Sequence, residues 1–194
     1  MKEILNYPRL LRALYREKTI FLIAVIFTSL MILTGALLPH DVRKSLMEML
    51  YEKLKDVEFS VTGIFMNNIR STGIIMLGGI IFSVLSFILV GLNFLVLGAA
   101  MVTLAPEHGT AFMIVSILPH GIFEIPAILL SFVGAMKITK AISVRIAGRE
   151  ENVSAKVLLL ETFALFVLMI LPLLIAAAVL EVYLTPWLTG LIAK

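Results

Sequence analysis

One segment holds residue types whose spacing could do chemistry: Leu118-Pro119-His120-Gly121-Ile122-Phe123-Glu124-Ile125-Pro126. His120 and Glu124 stand four apart, so on a helix they share a face. Pro119 and Pro126 each remove an amide donor. With Gly121 they bend the chain and release backbone carbonyls. A His–Glu pair in such a frame suits a proton or cation relay, a metal site or acid–base work. It also suits a structural lock, in which the two side chains bond to each other or to neighbouring helices; the lock ranks first, ion or solute handling second and catalysis third. As metal ligands His120 and Glu124 supply two donors where zinc takes three or four. The chain has no Cys, no His-Glu-x-x-His and no Gly-x-Ser-x-Gly. No nucleophile or cofactor is indicated, and the reading leans away from an enzyme.

What positions this pair follows from composition. Of the 194 residues, 60% are hydrophobic and only 15% charged, with a mean hydropathy of +1.06. A water-facing surface cannot be made from so few polar residues, so part of the solvent is lipid. The expected fold is an all-α polytopic transmembrane bundle of about five spans, forming one integral membrane domain over residues 1–194. The first 18 residues are basic and amphipathic and are read as interfacial. Spans are expected at about 19–38, 71–90, 93–105, 110–136 and 157–184. The run Thr19 to Leu38 is too long for a cleavable signal sequence and is read as a retained helix. Residues 71–106 carry no charge and must double back, with the corner placed at Gly91-Leu92-Asn93 because Gly and Asn favour turns. The third span is thereby short, and the fourth is interrupted by Pro119 and Pro126. A kink is expected at Pro172.

Between the first two spans, Val42, Leu46, Met49, Leu50, Leu54 and Val57 recur at helical spacing among charged residues. This predicts an extramembrane amphipathic helix over 41–59, with Asp41 as its N-cap. Lys137 to Lys156 reads as a basic loop. With five spans, that loop and the N-terminus share a side carrying ten Lys and Arg, against six opposite. The positive-inside bias makes the N-terminus cytoplasmic and the C-terminus external, and leaves helix 41–59 outside. The net charge of +3 is topogenic, so the lipid bilayer is the expected partner and nucleic acid is not. Absence of both Cys and Gln fits a thermophilic source.

Two further carboxylates fall in apolar stretches. Glu181, with Asn67, Asn68 and Arg70, forms a candidate polar cluster at the external ends of the spans, where a Glu181–Arg70 pair would neutralise both charges. Glu161 is placed at the cytoplasmic end, solvated or within reach of Lys156 or Arg145. The three carboxylates are thus expected at different depths. Gly79 and Ser83 form a small-xxx-small pair, read as intramolecular packing in preference to a homo-oligomer contact.

The string Leu118 to Pro126 resembles the signature of the stage II sporulation protein M family. Phe65-Met66-Asn67-Asn68-Ile69-Arg70 and Glu181-Val182-Tyr183-Leu184-Thr185-Pro186 are similar to two further elements of that family. The resemblance implies a multi-pass membrane protein of bacteria or archaea. It also implies a scaffold role, because the sporulation member recruits cell-wall-degrading partners. A scaffold or assembly component with membrane or extracytoplasmic protein partners is therefore the first functional reading. A transporter or channel component acting at His120 and Glu124 is the second, and an intramembrane metal-dependent hydrolase the third.

Overall fold

The computed structural model describes residues 7–148 and 154–192, and the side chains there except those of Arg9, Lys53, Glu107, His108 and His120. Lys2, Arg149 and Lys194, counted in the charge bias, lie outside the described residues. The described chain is all-α, its helices joined by short turns and loops. Helix α1 (Tyr7–Arg16) precedes α2 (Lys18–Leu37), α3 (His40–Leu54) and α4 (Val61–Leu77). A 3-10 turn (Gly78–Ile81) leads to α5 (Val84–His108) and α6 (Thr110–Ile146). Helices α7 (Ala155–Leu165), α8 (Leu171–Val179) and α9 (Thr185–Ile192) follow, joined by π turns at Phe166–Ile170 and Leu180–Leu184. Five helical stretches are long and apolar enough to cross a membrane: Lys18–Leu37, Val61–Ile81, Val84–Pro106, Gly121–Ile146 and Ala155–Ile192.

Several expected boundaries move, each for a local reason. The second long helix starts at Val61, not near residue 71, because Ser60 caps it by accepting from the Gly63 amide at 3.0 Å. Asn67, Asn68 and Arg70 therefore lie inside the helix and not before it. The corner is not at Gly91-Leu92-Asn93, which continue α5. It is at Phe82 and Ser83, both left-handed at φ 54 and 59. That conformation costs about 1–2 kcal/mol per non-glycine residue, and hydroxyls hold it in place. Ser83 Oγ lies 2.7 Å from Thr139 Oγ1, which also donates to the Gly79 carbonyl, while Ser86 donates to the Ile75 carbonyl at 2.6 Å. The third long helix is consequently neither short nor broken.

Helix α6 runs without interruption through Pro119 and Pro126 as 37 residues. It extends past residue 136, so Lys137, Lys140 and Arg145 are helical and not part of a loop. Helices packed around it offset the amide hydrogen bonds those prolines remove. Pro172 is accommodated by the π turn that precedes it, and Pro186 by a second one. Asp41 lies in the first turn of α3, which Pro39 precedes in extended conformation, so Pro39 takes the N-cap position expected of Asp41.

Helix α6 is the strut of the bundle and touches α2, α4, α5, α7, α8 and α9. The α2–α5 crossing brings backbone against backbone. A Cβ on Gly35 would stand 1.9 Å from the Leu95 carbonyl oxygen, and one on Gly98 2.0 Å from that of Ile32. A Cβ on Gly79 would stand 2.3 Å from the Ala135 oxygen, so that small residue serves packing within the chain. Phe27, Phe87 and Phe132 stack edge to face between α2, α5 and α6.

Gly98→Leu is expected to destabilise the protein by about 2 kcal/mol or more through overpacking. Gly73→Ala, where a Cβ meets nothing within 4 Å, is expected to be neutral or to stabilise by up to about 1 kcal/mol. Thermal unfolding of both variants in detergent micelles checks the contrast.

Candidate functional site

The ionisable side chains inside the bundle fall into two groups with opposite outcomes. On the N-terminal face, Glu161 and Lys137 are each 3% exposed. Lys137 Nζ donates to Glu161 at 2.7 Å and stands 3.8 Å from Glu17. Arg16 donates to the other Glu161 oxygen at 2.8 Å, and Lys140 stands 3.7 Å from Glu17. Glu161 is thus buried and doubly paired, not solvated, and its partners are Arg16 and Lys137 in place of the expected Lys156 or Arg145. The cluster ties α1, the start of α2, α6 and α7 together. Lys137 can enter the interior because two carboxylates meet it there.

About 20 Å along α6 from Lys137, toward α3, lies a cavity of about 710 Å³. Its polar lining comes from Asn68 and Ser71 on α4, Asn93 on α5, Ser116 and Glu124 on α6, and Glu181 in the second π turn. Asn67 also faces it. A pocket of about 120 Å³ between α5 and α6 shares Asn93 and Glu124 and reaches Gly121. Helix α3 roofs the cavity with Leu46, Met49, Leu50 and Leu54, the apolar face that the sequence assigns to this helix. The roof packs on α5.

Neither Glu124 nor Glu181 has a hydrogen-bond or ion-pair partner among the described residues, and both line the cavity. They share one cavity, not separate depths as expected from the sequence. Asn68 is 7% exposed. Its oxygen takes a long 3.4 Å contact from Asn67, while its amide nitrogen donates to nothing among the described residues. Asn93 lines the cavity and donates to the Leu89 carbonyl at 2.8 Å.

Of the residues singled out in the sequence, Glu124, Asn67, Asn68 and Glu181 converge here. Arg70 is exposed and makes no pair with Glu181. His120 lies on α6 between Pro119 and Gly121, and its side chain is outside the described ones. Among the described residues no three His, Cys, Asp or Glu side chains gather as metal ligands. Asn93 escaped the sequence reading because Asn beside Gly reads as a turn. Its place as a lone amide in an apolar helix was the available signal. Lys137 escaped because it was counted as loop.

Several helical stretches long and apolar enough to cross a membrane, among the described residues, define a polytopic α-helical membrane protein. Within that class the chain belongs to the stage II sporulation protein M family, which matches it over residues 19–186. It is also similar to an uncharacterized protein of Methanocaldococcus jannaschii, with 28% identity over 134 residues, or 69% of this chain and 75% of that one. No solved structure matches it.

Lys137→Ala leaves Glu161 with only the exposed Arg16, and a stability loss of about 3 kcal/mol or more is expected. Replacing Lys137 and Glu161 together by Met should cost less than either single change. Arg16→Ala should cost under about 1 kcal/mol, its side chain being 67% exposed. Denaturation of Lys137→Ala, Glu161→Met, the double Met variant and Arg16→Ala in micelles gives the comparison.

Proposed function

We propose that this protein handles a small solute within the membrane, as a transporter or channel component whose site is the cavity beneath α3. The observation that carries the reading is the pair of unpartnered carboxylates, Glu124 and Glu181, facing one cavity with the buried amide of Asn68. Unpaired ionisable groups at membrane depth are expensive and mark sites of ion or substrate passage. A π turn at Glu181 distorts the backbone where polar groups gather, as at many transport sites. In this reading five spans form one membrane domain, and the ten-against-six Lys and Arg bias puts the N-terminus in the cytoplasm. The cavity then belongs to the external half, and His120, one turn from Glu124 on α6, stands near it.

Proteoliposomes of the full chain should pass at least one solute from a panel of inorganic cations, amines and small zwitterions. Glu124→Gln should reduce that flux at least tenfold. Flux no greater than in empty liposomes, together with no solute-induced shift in melting temperature, would overturn the reading.

A second reading, the scaffold that the family resemblance implies, is favoured by one observation. Tyr51 of α3 is 70% exposed and stands outside the cavity lining, a hydrophobic side chain against which a protein partner could seat. Mild solubilisation should then co-purify a reproducible partner that Tyr51→Asp releases. A monodisperse protein that retains no partner under several solubilisation conditions would count against it.

A further inference from the structure

The solute class can be taken further, on the premise that the cavity is the site. We propose that it takes an amphiphilic organic cation: a protonated amine on an apolar body that also carries a hydrogen-bond-accepting oxygen. Four features of the cavity lead to this chemistry.

The first is charge. Glu124 and Glu181 face the space, and no Lys or Arg does so among the described residues. Carboxylates in a low-dielectric site favour a cation, and an ammonium also brings N–H donors to groups that, when ionised, only accept. The second is size. About 710 Å³ lies in the range of organic-ligand sites, roughly 300–1,000 Å³. A monatomic ion would have to share it with about 20 waters, each filling about 30 Å³.

The third is the wall. Leu46, Leu50, Val96, Leu97 and Phe112 are among the apolar side chains that line it. That surface holds such waters poorly and an aliphatic or aromatic body well. The fourth is Asn68. It is 7% exposed, faces the cavity, and its amide N–H groups have no acceptor among the described residues. A donor that faces the cavity can give its N–H groups to the ligand, which supplies the acceptor as a carbonyl, ether or sulfonyl oxygen. A zwitterionic phospholipid headgroup fits worse, because its phosphate would face the two carboxylates.

Monodansylcadaverine has an aromatic body, a sulfonyl oxygen and a primary amine, and it brightens in apolar surroundings. Titrated into the full chain in phosphatidylcholine nanodiscs, it should show a saturable rise above empty nanodiscs. Its neutral analogue, dansyl pentylamide, should bind at least tenfold more weakly. Glu124→Gln and Glu181→Gln should each weaken the amine at least tenfold, and Asn68→Leu several-fold. Leu50→Trp should block binding by filling the roof side without touching a charge. Lys140→Ala, on the opposite face, should leave binding unchanged, and unaltered melting curves should accompany each variant.

Equal binding of amine and neutral analogue would overturn the cation assignment. Sodium, potassium or magnesium binding that depends on Glu124, without amine binding, would overturn the amine class and leave the cavity as a solute site. No saturable binding of any of these, or equal binding of dansylglycine, would overturn both the class and the site.

Discussion

Every charge inside a lipid-solvated bundle needs a counter-charge, and the surrounding structure is arranged by where that need is met. At the N-terminal face it is met in full. Lys137 and Glu161 are buried, paired at 2.7 Å and flanked by Glu17 and Arg16. Toward α3 it is not met, since Glu124 and Glu181 face a shared cavity without described partners. Helix α6 carries both Lys137 and Glu124. One rigid element therefore ends in a closed ionic contact and presents an open one about 20 Å away. The closed end contributes stability and position, and the open end has the polarity left over to meet something else.

That division depends on backbone contacts close enough to keep the cavity walls in place. The Gly35 and Gly98 crossing sets α2 against α5. The corner at Phe82 and Ser83, with its hydroxyl contacts to Thr139 and Gly79, sets α4 and α5 against α6. Asn68, Asn93 and Glu124 are thereby held on three rigid helices and not on loops. The roof is less constrained: α3 is short and bears exposed apolar residues, and its inner leucines close the cavity.

Much of this could be read from the residues. Composition and the length of the uncharged runs are enough for a multi-pass helical bundle, and the spacing from Val42 to Val57 is enough for the amphipathic helix. Membrane depth makes Glu124, Glu181, Asn67 and Asn68 conspicuous, because lipid makes polar groups costly. The corner was not legible. It uses Phe and Ser in a left-handed conformation stabilised by a hydroxyl from a helix distant in sequence, and no local propensity encodes that. The burial of Lys137 was hidden for a similar reason, since its counter-charges come from α2 and α7. The three strings that carry the family resemblance are far apart in the chain. Only the fold shows that each sends a side chain into the same cavity: Asn67 and Asn68 from one, Glu124 from another, Glu181 from the last.

The π turn at Leu180–Leu184 has a consequence for how such a site can change. A π turn holds one residue more than the α-helix around it. It therefore behaves as a fossil insertion, rotating what lies beyond it by about 100° relative to α8. An in-frame loss of the codon for Leu180 would restore the α-helical register and turn Glu181 by about 100° from its present bearing, leaving the apolar character of the span intact. A lineage could thus re-aim the second carboxylate by a one-codon length change that keeps the glutamate, a route that point substitution does not offer.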